Sequence, residues 1–287
     1  MFETLKNVFR VKEMRRKLLY LIWMIFIIRI GCQIPVPGVD SDFFKQWFSS
    51  NAGDAFNFFD AFTGGSFERM SIFALNITPY ITSSIIIQLL TIAIPALEEM
   101  QRDGEEGRKK MTAITRYVTV GLALFESIAM AIGFGRQGMI PNLDFFKGVV
   151  VVACLTAGSA MLMWLGERIT EKGVGNGISI VLTINIISRV PSDLTLLYEN
   201  FIKGKTIAKG TLAGLIIAAV ILLVVVLVLI LNGAERRIPV QYSKKMVGRK
   251  LMGGQSTNIP LKVNTAGVIP VIFASSIMSF PAVIAQL

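Results

Sequence analysis

One carboxylate, Glu126, and one guanidinium, Arg29, each stand inside an otherwise uncharged apolar run. An acid in such a place either carries a proton or accepts hydrogen bonds from a neighbouring helix. Proton relays use several acids or histidines in series, and this sequence contains no histidine. Hydrogen bonding between helices is therefore the expected role of Glu126. Arg29 falls near the end of its run, where a long stem lets the guanidinium reach lipid headgroups, so no substrate site is expected there. A third polar set, Asn76, Thr78, Tyr80, Thr82, Ser83, Ser84 and Gln88, gathers around Pro79 within a single apolar stretch. Lipid contact requires none of these groups, and polar side chains in membrane helices face the bundle interior or a wet cavity. Pro79 removes a backbone donor and is expected to bend the helix.

Catalytic constellations are missing. Without histidine the chain lacks the commonest general base and the commonest transition-metal ligand. Cys32 and Cys154 both lie in apolar runs and suit neither a disulfide framework nor a zinc site. Gly173-Val174-Gly175-Asn176-Gly177 has the glycine density of a nucleotide loop, but no strand precedes it and no Lys-Ser/Thr follows. Neither enzymatic activity nor a cofactor is expected.

The elements that position these residues follow from composition. Of 287 residues 53% are apolar and only 17% charged, with a mean hydropathy of +0.62. Soluble domains carry about 25% charged residues, and disordered chains are poor in apolar ones. An all-α polytopic membrane protein is expected. A crossing needs about 20 apolar residues for about 30 Å of hydrocarbon. Runs at 18–34, 70–97, 117–135, 148–166, 174–188, 210–234 and 263–287 predict seven transmembrane helices. The first is preceded by six basic residues but followed by no small-x-small site, and reads as a retained helix rather than a cleaved signal. Residues 1–17 then form an amphipathic cytosolic N-terminus. Ile77 and Ile81 share a helix face, as do Ile178 and Leu182. Taken alone, such aliphatic pairs signify ordinary packing or lipid contact.

The net charge of +10 has a direction. With the N-terminus inside, segments 1–17, 98–116, 167–173 and 233–262 hold 20 Lys and Arg, against 8 in segments 35–69, 136–147 and 189–209. Acidic residues divide 10 against 8, so Lys and Arg carry the bias and place the N-terminus in the cytoplasm.

Two segments do more than connect spans. Asp54-Ala55-Phe56-Asn57-Phe58-Phe59-Asp60-Ala61-Phe62 mixes aromatics with acids before Gly64-Gly65. It can lie on the membrane surface as an amphipathic helix or fold back into a protein-lined cavity, and the residues alone favour the surface. In 235–262, Ile238, Val240 and Tyr242 alternate with polar residues, and Gly248 suits a turn. This predicts a cytosolic β-hairpin with seven basic residues across 233–262. Its charge serves orientation and anionic lipid, or docks an anionic partner such as RNA or an acidic protein surface.

Arg29-Ile30-Gly31, Ile34-Pro35-Val36-Pro37-Gly38, Ile72-Phe73-Ala74-Leu75 and Pro79-Tyr80-Ile81 together resemble the SecY family of protein-translocase pore subunits. Met163-Trp164-Leu165-Gly166-Glu167, Gly175-Asn176-Gly177-Ile178-Ser179 and Gln255-Ser256-Thr257 extend the resemblance. Pro260-Leu261-Lys262-Val263-Asn264 and Ala266-Gly267-Val268-Ile269-Pro270 carry it towards the end of the chain. It implies a clamshell of ten helices in two inverted halves around an hourglass pore. The first five helices here (18–190) would form one half; an outer loop at 191–209, a sixth helix at 210–234, the hairpin loop at 235–262 and a seventh helix at 263–287 would begin the other. The C-terminal part of that fold is missing, so a fragment is expected.

The resemblance further implies a plug over about 56–73, with Phe58, Phe59, Phe62, Gly64, Gly65 and Phe67 folded inward. It implies a pore ring of Ile77, Ile81, Ile178, Leu182 and Ile272, an apolar constriction that excludes hydrated ions by dewetting. Spans two, three and seven would border a lateral gate carrying Thr82, Glu126 and Phe280, the last standing where some relatives have an amide. Arg236, Arg237, Lys244, Lys245, Arg249 and Lys250 would dock the ribosome or the SecA motor. Other implied partners are SecE, SecG, the unfolded preprotein with its signal peptide, and membrane lipids. The setting would be the bacterial plasma membrane. The alternative from another class is a secondary transporter for a small solute, which also uses inverted repeats and broken polar helices. It would need a compact polar site at the midplane.

Overall fold

The computed structural model describes residues 11–51, 60–138, 140, 144–203, 207–240, 245–247, 250–252, 257–265, 267 and 274. The chain divides into two compact units, residues 1–191 with 273–287, and residues 192–272.

The first unit opens with α1, Lys12–Gly31. Pro35 and Pro37 then keep the chain extended, and it pairs with a distant segment. Val36 N donates to Met70 O at 2.9 Å and Ile72 N to Ile34 O at 3.0 Å. Helix α2, Ser41–Asn51, begins where Asp40 Oδ1 accepts the amides of Asp42 and Phe43, each at 3.1 Å. Its Phe44 is fully buried edge-on against Phe134, with ring centroids 5.1 Å apart at 89°. Phe48 and Phe67 complete this aromatic core.

The longest uncharged run, 70–97, is not one helix. Residues 60–63 are helical, and residues 64–77 follow as turns, with Met70 and Asn76 at positive φ. Helix α3 covers only Thr78–Ala93, with Pro79 in its first turn. Proline lacks the N–H that has no intrahelical partner there, so Pro79 starts the helix instead of bending one already begun. Sixteen residues rise about 24 Å, short of the hydrocarbon thickness. The coil at 70–77 that precedes α3 is nearly all buried. Non-helical backbone is tolerated at that depth where protein surrounds it. Pro95 starts α4, Pro95–Arg102, which turns away from α3 by 104°.

Helix α5, Gly104–Arg136, rises about 50 Å, so it outruns the segment expected from apolarity and projects from the membrane. Helix α6, Phe145–Lys172, is capped by Asp144 Oδ1, which accepts from Phe145 N at 2.8 Å. Helix α7, Gly177–Phe201, continues through Pro191 into residues expected to be an outer loop. Glycine lets α6 close on the buried coil, because a Cβ at Gly158 would overlap the carbonyl of Ile72. Gly31 in α1 likewise leaves room for the Phe73 ring.

In the second unit, α8, Ile207–Gly233, is apolar on every side and exposes nearly all of the large aliphatic residues described on it. Such a helix has lipid for its surroundings. Strand β1, Glu235–Val240, pairs antiparallel with β4, Thr257–Lys262, with Ile238 opposite Ile259. Strands β2, Lys245–Val247, and β3, Lys250–Met252, pair within the connection. The segment expected as a basic hairpin is thus a nested antiparallel ribbon.

The chain is a mostly helical, multi-pass membrane protein. Among the described residues α5, α6, α7 and residues 209–233 of α8 are each long and apolar enough to cross a bilayer, and the bent pair α3–α4 makes a fifth candidate. Helix α1 is not among them, because Lys12, Glu13, Arg15, Arg16 and Lys17 fill its first turns. The expected seventh helix, 263–287, lies almost wholly outside the described residues. The aromatic core yields a test. Phe134→Ala should cost about 3–5 kcal/mol, read as a lowered thermal unfolding midpoint in detergent, whereas Phe145→Ala on the exposed surface should change it little.

Candidate functional site

The site is built around the buried coil. Asn176 caps α7, its Oδ1 accepting from Ile178 N at 3.1 Å and Ser179 N at 3.4 Å. Thr170 Oγ1 accepts from Gly177 N at 2.9 Å. A Cβ at Gly177 would overlap the Gly166 carbonyl, so α7 starts hard against α6. These contacts fix Ile178 in the first turn of α7. A Cβ at Gly166 would lie 3.3 Å from Ile178 Cγ1 and 3.4 Å from Ile77 Cδ1. Ile77 and Ile178, remote in sequence, therefore both lie against one glycine. Ile77 is fully buried, and Ile81, Ile178 and Leu182 are half-buried. Ile272 lies outside the described residues.

Above this aliphatic pair stands a polar network. Asn76 Nδ2 donates to the Phe62 carbonyl at 2.9 Å, and Asn76 Oδ1 accepts from Asn185 Nδ2 at 3.0 Å. Asn185 Oδ1 accepts from Arg29 Nη2 at 2.9 Å, and the same nitrogen donates to Ile184 O at 3.0 Å. Asp60, with no exposure at all, accepts at Oδ1 from Thr63 Oγ1 and from the Glu68 amide, at 3.1 and 2.9 Å. Its Oδ2 forms an ion pair with Arg189. Gly64 has a φ of +68°, and a Cβ there would press into the backbone of Asn185. The segment 60–76 is thus buttoned onto α1 and α7.

Arg29 corrects the sequence reading, since its guanidinium turns into the protein instead of towards headgroups. The stem could reach either way, and Asn185 offers an acceptor that no single run of sequence reveals. No motif in the sequence marks Asp60, Asn185 or Arg189. The available signal was spacing: Ile178, Leu182, Asn185 and Arg189 fall on one stripe of α7. The inward placement of residues 60–67 likewise departs from the surface position that the residues alone favour.

Of the plug-like residues, Phe67 is fully buried and Phe62, Gly64 and Gly65 are half-buried, while Phe58 and Phe59 lie outside the described residues. Thr82 is buried. Glu126 has no hydrogen-bond partner among the described residues. The bond expected of it is made by its neighbour, Ser127 Oγ lying 2.9 Å from Thr156 Oγ1 between α5 and α6. Ser83 Oγ adds a bond to Thr115 O at 2.8 Å between α3 and α5. Phe280 lies outside the described residues. Arg236 and Arg237 are exposed on β1, and Lys245 and Lys250 belong to β2 and β3. Lys244 and Arg249 are outside the described residues.

Beside Ile178 opens a cavity of about 310 Å³ whose lining includes Tyr80, Arg116, Glu167 and Asn176. Arg116 and Glu167 form an ion pair at 2.8 Å. Among the described residues no three His, Cys, Asp or Glu side chains are grouped to hold a metal.

The SecY family profile matches residues 71–287. The protein translocase subunit SecY of Halalkalibacterium halodurans is 44% identical over 295 residues, an alignment spanning 100% of this chain and 67% of that protein. Its Escherichia coli counterpart is 43% identical over 278 residues, spanning 96% of this chain and 62% of that protein. This chain therefore spans about two thirds of the length of these relatives. Among solved structures, a protein-conducting channel superposes with a TM-score of 0.60 at 19% identity, over 95% of this chain and 58% of its own. Two more superpose at TM-scores of 0.57, also at 19% identity and with the same coverage. One is a SecY protein whose plug domain stabilises the closed state and maintains a membrane seal; the other is a channel of the canine endoplasmic reticulum in complex with the ribosome. At that identity the likeness speaks to fold alone.

The network gives a second test. Asn185→Leu keeps the heavy-atom count and branching but leaves Asn76 Oδ1 without its donor and takes one of two acceptors from Arg29 Nη2, and should destabilise the protein by about 1–3 kcal/mol. Thermal unfolding in detergent reads the loss, and an unshifted midpoint would show that the network contributes nothing.

Proposed function

The chain belongs to the SecY family, and from that premise we propose that it is the channel subunit of a Sec translocon. It passes unfolded polypeptides across the membrane and releases apolar segments sideways into lipid. The observation that carries this reading is that Ile77, at the end of the buried coil, and Ile178, in the first turn of α7, both lie against Gly166. Aliphatic side chains hold no hydrogen bonds that must break as they part, so they can yield around an extended chain. Closed against each other they would leave no wet path for ions. The buried segment 60–76 serves as the plug of that channel. Phe58 and Phe59 extend it, Ile81, Leu182 and Ile272 complete the ring, and Thr82, Glu126 and Phe280 border the lateral gate.

Spans one to five, residues 18–190, make up the first half of an inverted-repeat clamshell, and spans six and seven begin the second. The Lys and Arg bias supports a cytoplasmic N-terminus in a bacterial plasma membrane. The energy for transport comes from a ribosome or from the SecA motor, and SecE and SecG accompany the chain. The ribbon supports docking: an isolated two-stranded ribbon is marginally stable in water, and Ile238, Ile259 and Leu261 stay exposed on it. Its basic residues Arg236, Arg237, Lys244, Lys245, Arg249 and Lys250 face anionic partners. A solute transporter would leave polar groups free at the midplane, whereas Asn76, Asn185 and Arg29 are engaged with one another.

Photo-crosslinking groups at positions 178 and 81 of the full-length protein should capture a polypeptide stalled in transit, while one at Leu222 on the exposed face of α8 should capture lipid. Capture of lipid alone at 178 would sink the conduit reading. Arg249→Glu with Lys250→Glu should weaken ribosome or motor binding by about tenfold or more at low salt, with the gap narrowing as salt rises, and should leave membrane insertion intact. Unchanged binding at moderate salt would remove the ribbon from docking.

A further inference from the structure

Beside the isoleucines stands an ion pair with bonding capacity to spare. Glu167 directly follows Gly166, the residue against which both Ile77 and Ile178 lie. Arg116 meets it from α5 with two bonds, Nε to Oε1 at 2.9 Å and Nη2 to Oε2 at 2.8 Å. A double bond of this kind fixes the orientation of both groups. Arg116 Nη1 has no partner among the described residues, and an ionised carboxylate can accept about four bonds where Glu167 takes two. Both side chains line the cavity of about 310 Å³ next to Ile178. The side chain of Arg116 is 48% exposed and that of Glu167 15%, so the first is reachable from water and the second is weakly screened. The ion pairs made by Glu13, Glu98, Glu171 and Glu199 each lie within one helix, three or four residues apart. Arg116–Glu167 instead joins α5 to α6, which Ser127 and Thr156 already join elsewhere.

We propose that this pair receives the charged side chains of the polypeptide in transit, Arg116 taking its carboxylates and Glu167 its ammonium and guanidinium groups, as each residue nears the ring. This rests on the channel reading given above. Arg116 and Glu167 fall in segments 98–116 and 167–173, which the Lys and Arg bias puts on the cytosolic side, where a chain for export arrives. Such a chain brings charges of both signs to an aliphatic constriction, and each must shed water to pass. An opposite charge at that point offsets part of the lost hydration. A lone arginine would favour acidic stretches and repel basic ones, and a lone glutamate the reverse. The pair is neutral as a whole and presents one charge of each sign. Nη1 and the remaining lone pairs of Glu167 let it do so without opening. Small ligand pockets begin at about 300 Å³, so the cavity has room for a side chain and none for a folded segment.

Dependence on the sign of the client's charge separates this role from that of a brace between helices. Three unfolded clients, identical except for a short block of Gln, Glu or Lys, are driven through the full-length protein with its copurifying subunits in vesicles. Arg116→Gln should slow the Glu-block client about fivefold relative to the Gln-block client, the effect that a half-exposed charge pair supports, and should spare the Lys-block client. Glu167→Gln should slow the Lys-block client and spare the Glu-block one. Both differences should shrink as salt rises. The exchanged pair, Arg116→Glu with Glu167→Arg, keeps one charge of each sign and should bring both charged clients to within about twofold of the parent rate. Single variants that slow all three clients equally, or none of them, would overturn the proposal. An exchanged pair that leaves the charged clients slow would do the same.

A second measurement leaves the pair intact and so stands even where a single variant fails to assemble. Thr112 lines the same cavity one turn before Arg116. With Cys32 and Cys154 replaced, Thr112→Cys should form a disulfide with a cysteine beside the block of a client stalled there, in higher yield for the Glu and Lys blocks than for the Gln block. Equal yields for the three blocks, or no disulfide with any, would overturn the proposal. Crosslinking from position 178 in the same preparations separates the two ideas. Its absence with every client condemns the channel reading, while its presence beside equal yields at position 112 condemns only the charge-receiving pair.

Discussion

A stretch of coil at membrane depth must satisfy its backbone without water, and the rest of this structure is arranged around that requirement. Residues 64–77 have no helical ladder of their own. Backbone groups among them are met by the extended chain at 34–36, by the side chains of Thr63 and Asp60, and by their own turns. Lipid could offer none of these partners, so helices must close around the coil. Gly31, Gly64 and Gly158 stand where they close most tightly.

The same requirement produces function. A segment that could be buried as ordinary helix would have no reason to leave. A segment held by a few side-chain contacts can be released whole when those contacts are withdrawn. The contacts converge on α7, which carries Ile178 in its first turn and Asn185 and Arg189 two and three turns further on.

Much of this was legible in the sequence. Composition gave the membrane, apolar runs located α5, α6, α7 and α8, and alternation of Ile238 and Val240 located the ribbon. The run at 70–97 misled because hydropathy reports only that residues avoid water. Met70, Phe73, Ala74 and Leu75 are apolar because protein covers them, not because lipid does. Pro79 held the missing information, since a proline in a polar-rich stretch marks a helix start as readily as a bend. Glu126 drew attention as a lone acid, yet the interhelical bond belongs to Ser127, a residue type common enough in membrane helices to pass unnoticed. Arg29 looked peripheral because its partner lies more than a hundred and fifty residues away.

The account stands or falls on whether the coil and α7 close over Ile77 when no polypeptide is present. A single cysteine at position 77, in a full-length protein whose Cys32 and Cys154 are replaced by serine or alanine, measures this with a membrane-impermeant thiol reagent. The thiol should be silent from both sides of the membrane at rest and should form a disulfide with a cysteine in a polypeptide stalled in transit. Ready labelling at rest, or a stalled chain that never reaches position 77, would contradict it.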